Sequence, residues 1–152
     1  MNVNESHPDL TGLEQLEALI ASGKRAPIAE TLDFRLVRIE KGRAVWTGTP
    51  DSRAGNPIGL IHGGYAATLL DSACGCAVHS MLSASQAYTT LELKISYVRG
   101  LTPDTGPVTA EGVVLSMGRR VGFAEAKLVD ANGRLLASAS STLLVFDRIT
   151  QR

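Results

Sequence analysis

Between Arg53 and Glu92 the chain carries a single charged residue, Asp71. A lone carboxylate in so apolar a stretch is costly to bury unless it is paired, hydrogen-bonded or neutralised. Such a group is the best candidate in the chain for acid–base or nucleophilic work. Nine residues earlier stands His62-Gly63-Gly64. Two glycines let backbone approach a ligand closely. Amides at the start of a helix point outward and favour negative charge, which suits the oxyanion of an acyl-transfer intermediate. At about 100° per residue, Asp71 lies about 180° round a helix from His62. It therefore faces away from the oxyanion donors of its own chain. A two-fold dimer that brings Asp71 of one subunit to Gly63 of the other resolves this.

Other chemistries fit less well. His62, Asp71 and His79 form a tempting metal trio, but on one helix they point in different directions, so no metal is expected. Ser72 adjoins Asp71 without a G-x-S-x-G elbow around it. Gly63-Gly64 is followed by no Gly-Lys-Ser/Thr, so it is not a P-loop. Cys74 and Cys76 sit two apart in the apolar run. On a helix they point apart, which argues against a disulfide and for a reducing, cytoplasmic setting. Fifteen basic and fifteen acidic residues cancel. Nothing in that balance calls for nucleic acid or an anionic membrane surface as partner. The first residues include Glu5 and Asp9 and no apolar core, so no signal peptide is expected.

The elements that must position these groups follow from period and punctuation. With 152 residues and 44% hydrophobic content the chain suits one domain, residues 1–152, with the first twelve loosely attached. Thr11-Gly12-Leu13-Glu14 has capping-box form, and Gly23 ends the short helix that follows. Pro27 stops any continuation nearby. Leu32, Phe34 and Leu36 alternate into a first strand reaching Ile39, Lys41-Gly42-Arg43 turns, and residues 44–49 return. Residues 50–59 are loop. A helix apolar nearly all round runs from His62 or Gly63 to about Leu82, and it must be wrapped on most sides. Thr89, Leu91, Leu93, Ile95 and Tyr97 alternate with Thr90, Glu92, Lys94 and Ser96 as a strand. Strands at 108–117, 121–129 and 135–146 follow. Gly118-Arg119-Arg120 links the first two of these, and Asn132-Gly133 makes a hairpin of the last two. The order predicts an α+β fold, an antiparallel sheet curled round one long central helix.

The run Asn56-Pro57-x-Gly59-x-x-His62-Gly63-Gly64, followed by Leu70-Asp71, resembles the hotdog-fold acyl-CoA thioesterases of the phenylacetate-degradation (PaaI) type. The likeness extends from Pro27-Ile28-Ala29-Glu30-Thr31-Leu32 to Gly133-Arg134-Leu135-Leu136-Ala137 and covers Leu13 to Phe146. It implies a hotdog fold, a homodimer that forms the active site, and commonly a homotetramer. It implies hydrolysis of an aryl or medium-chain acyl-CoA to free acid and CoA, without a cofactor. Under that resemblance Asp71 is the general base or nucleophile and the Gly63 amide polarises the thioester carbonyl. Asn56 orients water or substrate, and His62 supports the site. Gly64 lets the backbone meet the substrate, and Thr90 aligns with a hydroxyl residue that assists in some members. Arg99, with Gly118, Arg119 and Arg120, falls where the family holds CoA. One branch places a threonine one turn after its acid, and here that position is Gly75. Two other readings stay open: an acyl-thioester dehydratase on the same fold, and a non-catalytic acyl-CoA binding or sensor module.

Overall fold

The computed structural model describes residues 2–148. Residues Val3–Ser6 form a helical turn, α1. The capping box then closes as spaced. The Thr11 N–H donates to Glu14 Oε2 at 2.8 Å, and the Glu14 N–H returns to Thr11 Oγ1 at 3.4 Å. Helix α2 (Gly12–Ser22) ends at Gly23, whose φ of 66° is the left-handed conformation that glycine adopts without strain. Helix α2 does not continue past Gly23, and a separate short helix, α3 (Pro27–Thr31), follows. Pro27 begins this new helix, because at the first helical position its missing N–H is no loss.

Strands β1 (Phe34–Glu40) and β2 (Arg43–Gly48) form the first hairpin, turned at Gly42 with φ 78°. Strand β1 starts at Phe34 rather than Leu32, which caps α3. A 3-10 turn at Ser52–Ala54 leads through the loop to α4 (Gly63–His79). The helix stops three residues short of Leu82. The Ser80 hydroxyl donates to the Ala77 carbonyl and accepts the Gly42 N–H, which ties the helix end to the β1–β2 turn.

Four strands follow: β3 (Gln86–Tyr97), β4 (Val108–Met117), β5 (Val121–Asp130) and β6 (Leu135–Asp147). The sheet is antiparallel throughout, in the order β1-β2-β4-β5-β6-β3. Asn132-Gly133 turns the last hairpin, with Gly133 at φ 77° and Asp130 Oδ1 accepting the Asn132 and Arg134 amides.

Helix α4 lies in the curl of this sheet. Its Leu69, Leu70, Ala73, Cys74, Ala77 and Val78 are fully buried. Each buried leucine contributes about 1.5–3 kcal/mol. The strands facing it present small residues, Ala110, Gly112, Ala124 and Ala126. At Gly112 a Cβ would collide with the Ala73 carbonyl, so the helix backbone rests directly on β4.

One irregularity matters for the site. The β3–β6 register shifts between Thr90 and Glu92, so Leu91 is an extra, bulged residue and is 59% exposed. A bulge reverses which face later residues take. Leu93 and Ile95 pack against the core as the alternation predicts. Before the bulge, Tyr88 and Thr90 face the helix in place of the expected Thr89 and Leu91.

Candidate active site

The bulge delivers Thr90 to Asp71. The Thr90 hydroxyl donates to Asp71 Oδ1 at 3.0 Å. Asp71 is half-buried, on the third turn of α4, and its second oxygen takes no hydrogen bond among the described residues. The carboxylate thus has a charge-assisted partner but no counter-ion among the described residues.

Behind Asp71 the surroundings are apolar. The buried Cys74 thiol is pushed up to about 12 by desolvation, with the Asp71 and Glu125 charges adding to it. It stays protonated at neutral pH and is no thiolate nucleophile. Cys74 and Cys76 are both free. The Tyr88 phenol stands against Gly75, where a Cβ would lie 2.8 Å from its hydroxyl. The volume that a threonine side chain would take one turn after Asp71 is therefore filled by Tyr88. Burial raises the Tyr88 phenol well above its ordinary range, with the nearby Cys76 and Asp71 adding to the effect.

At the start of α4, His62 is the N-cap and its Nδ1 accepts the Gly64 N–H at 2.8 Å. That bond requires a lone pair on Nδ1, so a neutral ring carries its proton on Nε2. The Tyr65 N–H goes to the His62 carbonyl at 3.0 Å. Among the described residues no acceptor takes the Gly63 N–H. Gly63 is thus the open donor of the first turn, while Gly64 is occupied. Tyr97, which sequence reasoning assigned only to a strand face, closes over this point. Its hydroxyl donates to the Gly63 carbonyl at 2.8 Å, and its ring stands 3.1 Å from where a Gly63 Cβ would be. Its place in line with Leu93 and Ile95 was the available signal.

Asn56 shapes the loop that aims the helix. Its Oδ1 accepts the Ile58 and Leu60 amides at 3.1 and 3.0 Å, and its N–H donates to the Leu60 carbonyl. The His62 N–H then bonds the Ala54 carbonyl at 2.8 Å. The carboxamide oxygen is spent inside the loop, which leaves Nδ2 for other partners.

The arginines do not come together within one chain. Arg99 follows the end of β3, where Tyr97 pairs with Ala137. Arg119 and Arg120 occupy the β4–β5 turn, closed by the Gly118 N–H to the Val121 carbonyl at 2.8 Å. They line a groove of about 590 Å³ with Gln86, Val145, Phe146 and Asp147. From Ala137 to Val145 along β6 is eight residues, about 26 Å of strand. His62 and His79 likewise stand at opposite ends of α4, and His79 Nε2 is engaged by Gln15 Oε1 at 2.8 Å.

An acidic residue with a hydroxyl partner, and an open amide at a helix start, are the parts of a hydrolytic acyl-transfer site. Comparison with known proteins agrees. The thioesterase superfamily profile matches residues 58–137. A Saccharolobus solfataricus protein that bears an esterase name is 34% identical over 76% of this chain and 81% of its own. The 1,4-dihydroxy-2-naphthoyl-CoA hydrolase of Escherichia coli is 30% identical over 86% of this chain and 93% of its own. The solved structure of a mutant of the phenylacetic acid degradation protein PaaI from Thermus thermophilus superposes with a TM-score of 0.71. It is 26% identical, over 78% of this chain and 98% of that one.

Proposed function

The chain belongs to the thioesterase superfamily, of the PaaI type and with its hotdog fold, and on that premise we propose that it hydrolyses an aryl or medium-chain acyl-CoA thioester to the free acid and CoA. The observation that carries the reading is the hydrogen bond from Thr90 of β3 to Asp71, with Asp71 on the same buried helix whose first turn offers the open Gly63 amide. The names of the CoA hydrolase and PaaI relatives support the substrate class.

Asp71 acts as general base on a water, or as nucleophile on the thioester carbon. Either attack moves the carbonyl π electrons onto oxygen, and the Gly63 N–H stabilises that oxyanion. Collapse breaks the C–S bond and expels the CoA thiolate, which takes the proton that Asp71 removed from water; on the nucleophilic route water then cleaves the acyl–Asp71 anhydride, which frees the acid and restores the carboxylate. Asp71 follows Gly63 by eight residues, about 12 Å along the helix. That separation is too long for one thioester carbonyl to span, and supports a homodimeric site in which each subunit supplies one of the two. Strand β3, a twelve-residue edge whose outer side is unpaired in one chain, is the natural seam. The assembly is a homotetramer of such dimers in the cytoplasm, each chain a single domain. Asn56 Nδ2 orients water or substrate, His62 holds the first turn, and Gly64 leaves room for the substrate. Arg99 of one subunit, with Arg119 and Arg120, takes the CoA phosphates through planar donor forks. No helix among the described residues is long and apolar enough to cross a membrane.

Release of free thiol from a panel of aryl and aliphatic acyl-CoAs tests the reading, with wild type and Asp71→Asn side by side. Turnover in the variant is expected to fall by several orders of magnitude while its unfolding midpoint holds. Near-normal turnover in Asp71→Asn removes the mechanism. No thiol release with retained CoA-ester binding moves the assignment to the binding module, and hydration of an enoyl-CoA to the dehydratase. Single turnover in ¹⁸O-water labels Asp71 only on the nucleophilic route.

A further inference from the structure

Tyr97 is 54% exposed, and a phenol so placed ordinarily keeps its polar tip in water. Here the hydroxyl instead donates to the Gly63 carbonyl at 2.8 Å. The two residues are 34 positions apart in the chain, one near the end of β3 and the other on the first turn of α4. The vacant Cβ position of Gly63 lies 3.1 Å from both Cζ and the hydroxyl oxygen of Tyr97. Glycine at 63 is therefore what lets the ring sit this close, since a side chain there would press it away.

The peptide group that joins Gly63 to Gly64 is thus held at both ends. Tyr97 takes its carbonyl, and its N–H, which belongs to Gly64, goes to His62 Nδ1 at 2.8 Å. Hydrogen bonds in series strengthen one another, so the phenol on the carbonyl makes the Gly64 N–H a better donor to His62. The next carbonyl, that of Gly64, accepts the Thr68 hydroxyl at 2.8 Å. A helix start built on two glycines needs such ties. Glycine has the least constrained backbone, and the N–H groups of a first turn have no partner within the helix. The open Gly63 N–H is one Cα away from the pinned peptide, so its direction follows that peptide's. An oxyanion donor works best when its direction is set before the charge develops.

We propose that Tyr97 is a positioning residue for the oxyanion donor: with His62 it pins the Gly63–Gly64 peptide and so keeps the Gly63 N–H aimed at the reacting carbonyl oxygen. Tyr97 acts through Gly63, not on the substrate. This role rests on the thioesterase reading, since it concerns that enzyme's oxyanion donor.

The test is Tyr97→Phe, which keeps the ring and removes only the hydroxyl. Thiol release from an acyl-CoA gives kcat and KM, and thermal unfolding gives stability. Amide hydrogen exchange followed by NMR reads the Gly64 N–H without any turnover. Loss of one neutral hydrogen bond that aims a transition-state donor is expected to lower kcat about 3- to 10-fold with KM unchanged. The Gly64 amide is expected to exchange faster by a similar factor, with the unfolding midpoint within a few degrees of wild type. An unchanged kcat overturns the role, and a lowered midpoint with kcat intact shows a merely structural contact. A raised KM with kcat intact means that Tyr97 touches the substrate, and also overturns it. If the wild type releases no thiol from any ester, the thioesterase reading fails by itself. The exchange rate then decides the remainder: a faster Gly64 amide in Tyr97→Phe upholds the pinning, and an unchanged one removes it.

Discussion

Replacing Gly63 by proline isolates the oxyanion donor. Gly63 is the first helical position after the His62 cap, where proline fits without costing a helix bond. The residue before a proline is confined to extended or polyproline backbone, and His62 already has φ −61° and ψ 135°. The substitution therefore removes one N–H and leaves the helix in place. Its Cβ would press on the Tyr97 ring at 3.1 Å, but Tyr97 is 54% exposed and can yield. Gly63→Ala makes the same contact and keeps the N–H, so it serves as the control. Loss of one oxyanion donor costs about 2.7–4 kcal/mol, or 10²–10³ in turnover. In a thiol-release assay, proline is expected to fall that far below alanine, with the two unfolding midpoints within a few degrees. The shared site adds a second arm. A heterodimer of Asp71→Asn and Gly63→Pro subunits contains one intact pair, so mixing the two inactive proteins is expected to restore part of the activity. Proline within tenfold of alanine would falsify the role of this amide, and mixing without recovery would leave each chain to supply its own site.

Three further outcomes are expected. Thr90→Val removes the donor to Asp71 with little change in shape. A hydrogen bond to a charged group is worth about 1.5–3 kcal/mol, so kcat should drop about 10- to 150-fold, while Thr90→Ser stays near wild type; equal losses in both variants rule out the hydroxyl. His79 is held near pKa 4 rather than 6.5, first by burial and then by the Arg148 charge. The unfolded chain binds this proton below 6.5 and the native one only near 4. The stability is thus complete above 6.5 and is lost as the pH falls toward 4, by about 3 kcal/mol. Urea unfolding across that range should show a smaller loss in His79→Gln, and identical slopes would refute the assignment. Gly112→Ala sets a Cβ against the Ala73 carbonyl and should destabilise by about 3 kcal/mol in the same assay; a neutral result would mean that α4 can lift off β4.

Much of this protein is written locally. The capping box at Thr11, the stop at Gly23, the Asn132-Gly133 hairpin and the period-two strands are decided by residues a few positions apart. The central helix is legible because its apolar run leaves Asp71 as the one charge that must find a role. The loop–His62–Gly63–Gly64 pattern is legible for the same reason, since backbone amides and glycines act through their own chain. His62 shows its cap only through a neighbour two residues away.

What was not legible depends on contacts across the sheet. The alternation at 89–97 puts Thr90 on the polar face with Glu92. The Leu91 bulge arises from the register that β3 takes against β6, and no residue in β3 announces it. That one extra residue turns Thr90 toward Asp71 and leaves Tyr97 facing Gly63. The early end of α4 has a similar origin, because Ser80 stops the helix by reaching the β1–β2 turn, 38 positions away. Tyr65 reads as one more apolar helix residue until Gly48, from another element, opens space over its hydroxyl. Sequence by itself determined which groups could do chemistry, because those properties belong to single residues and their near neighbours. Only the tertiary structure decided which of them meet, because strand register and close packing are set by partners distant in the chain.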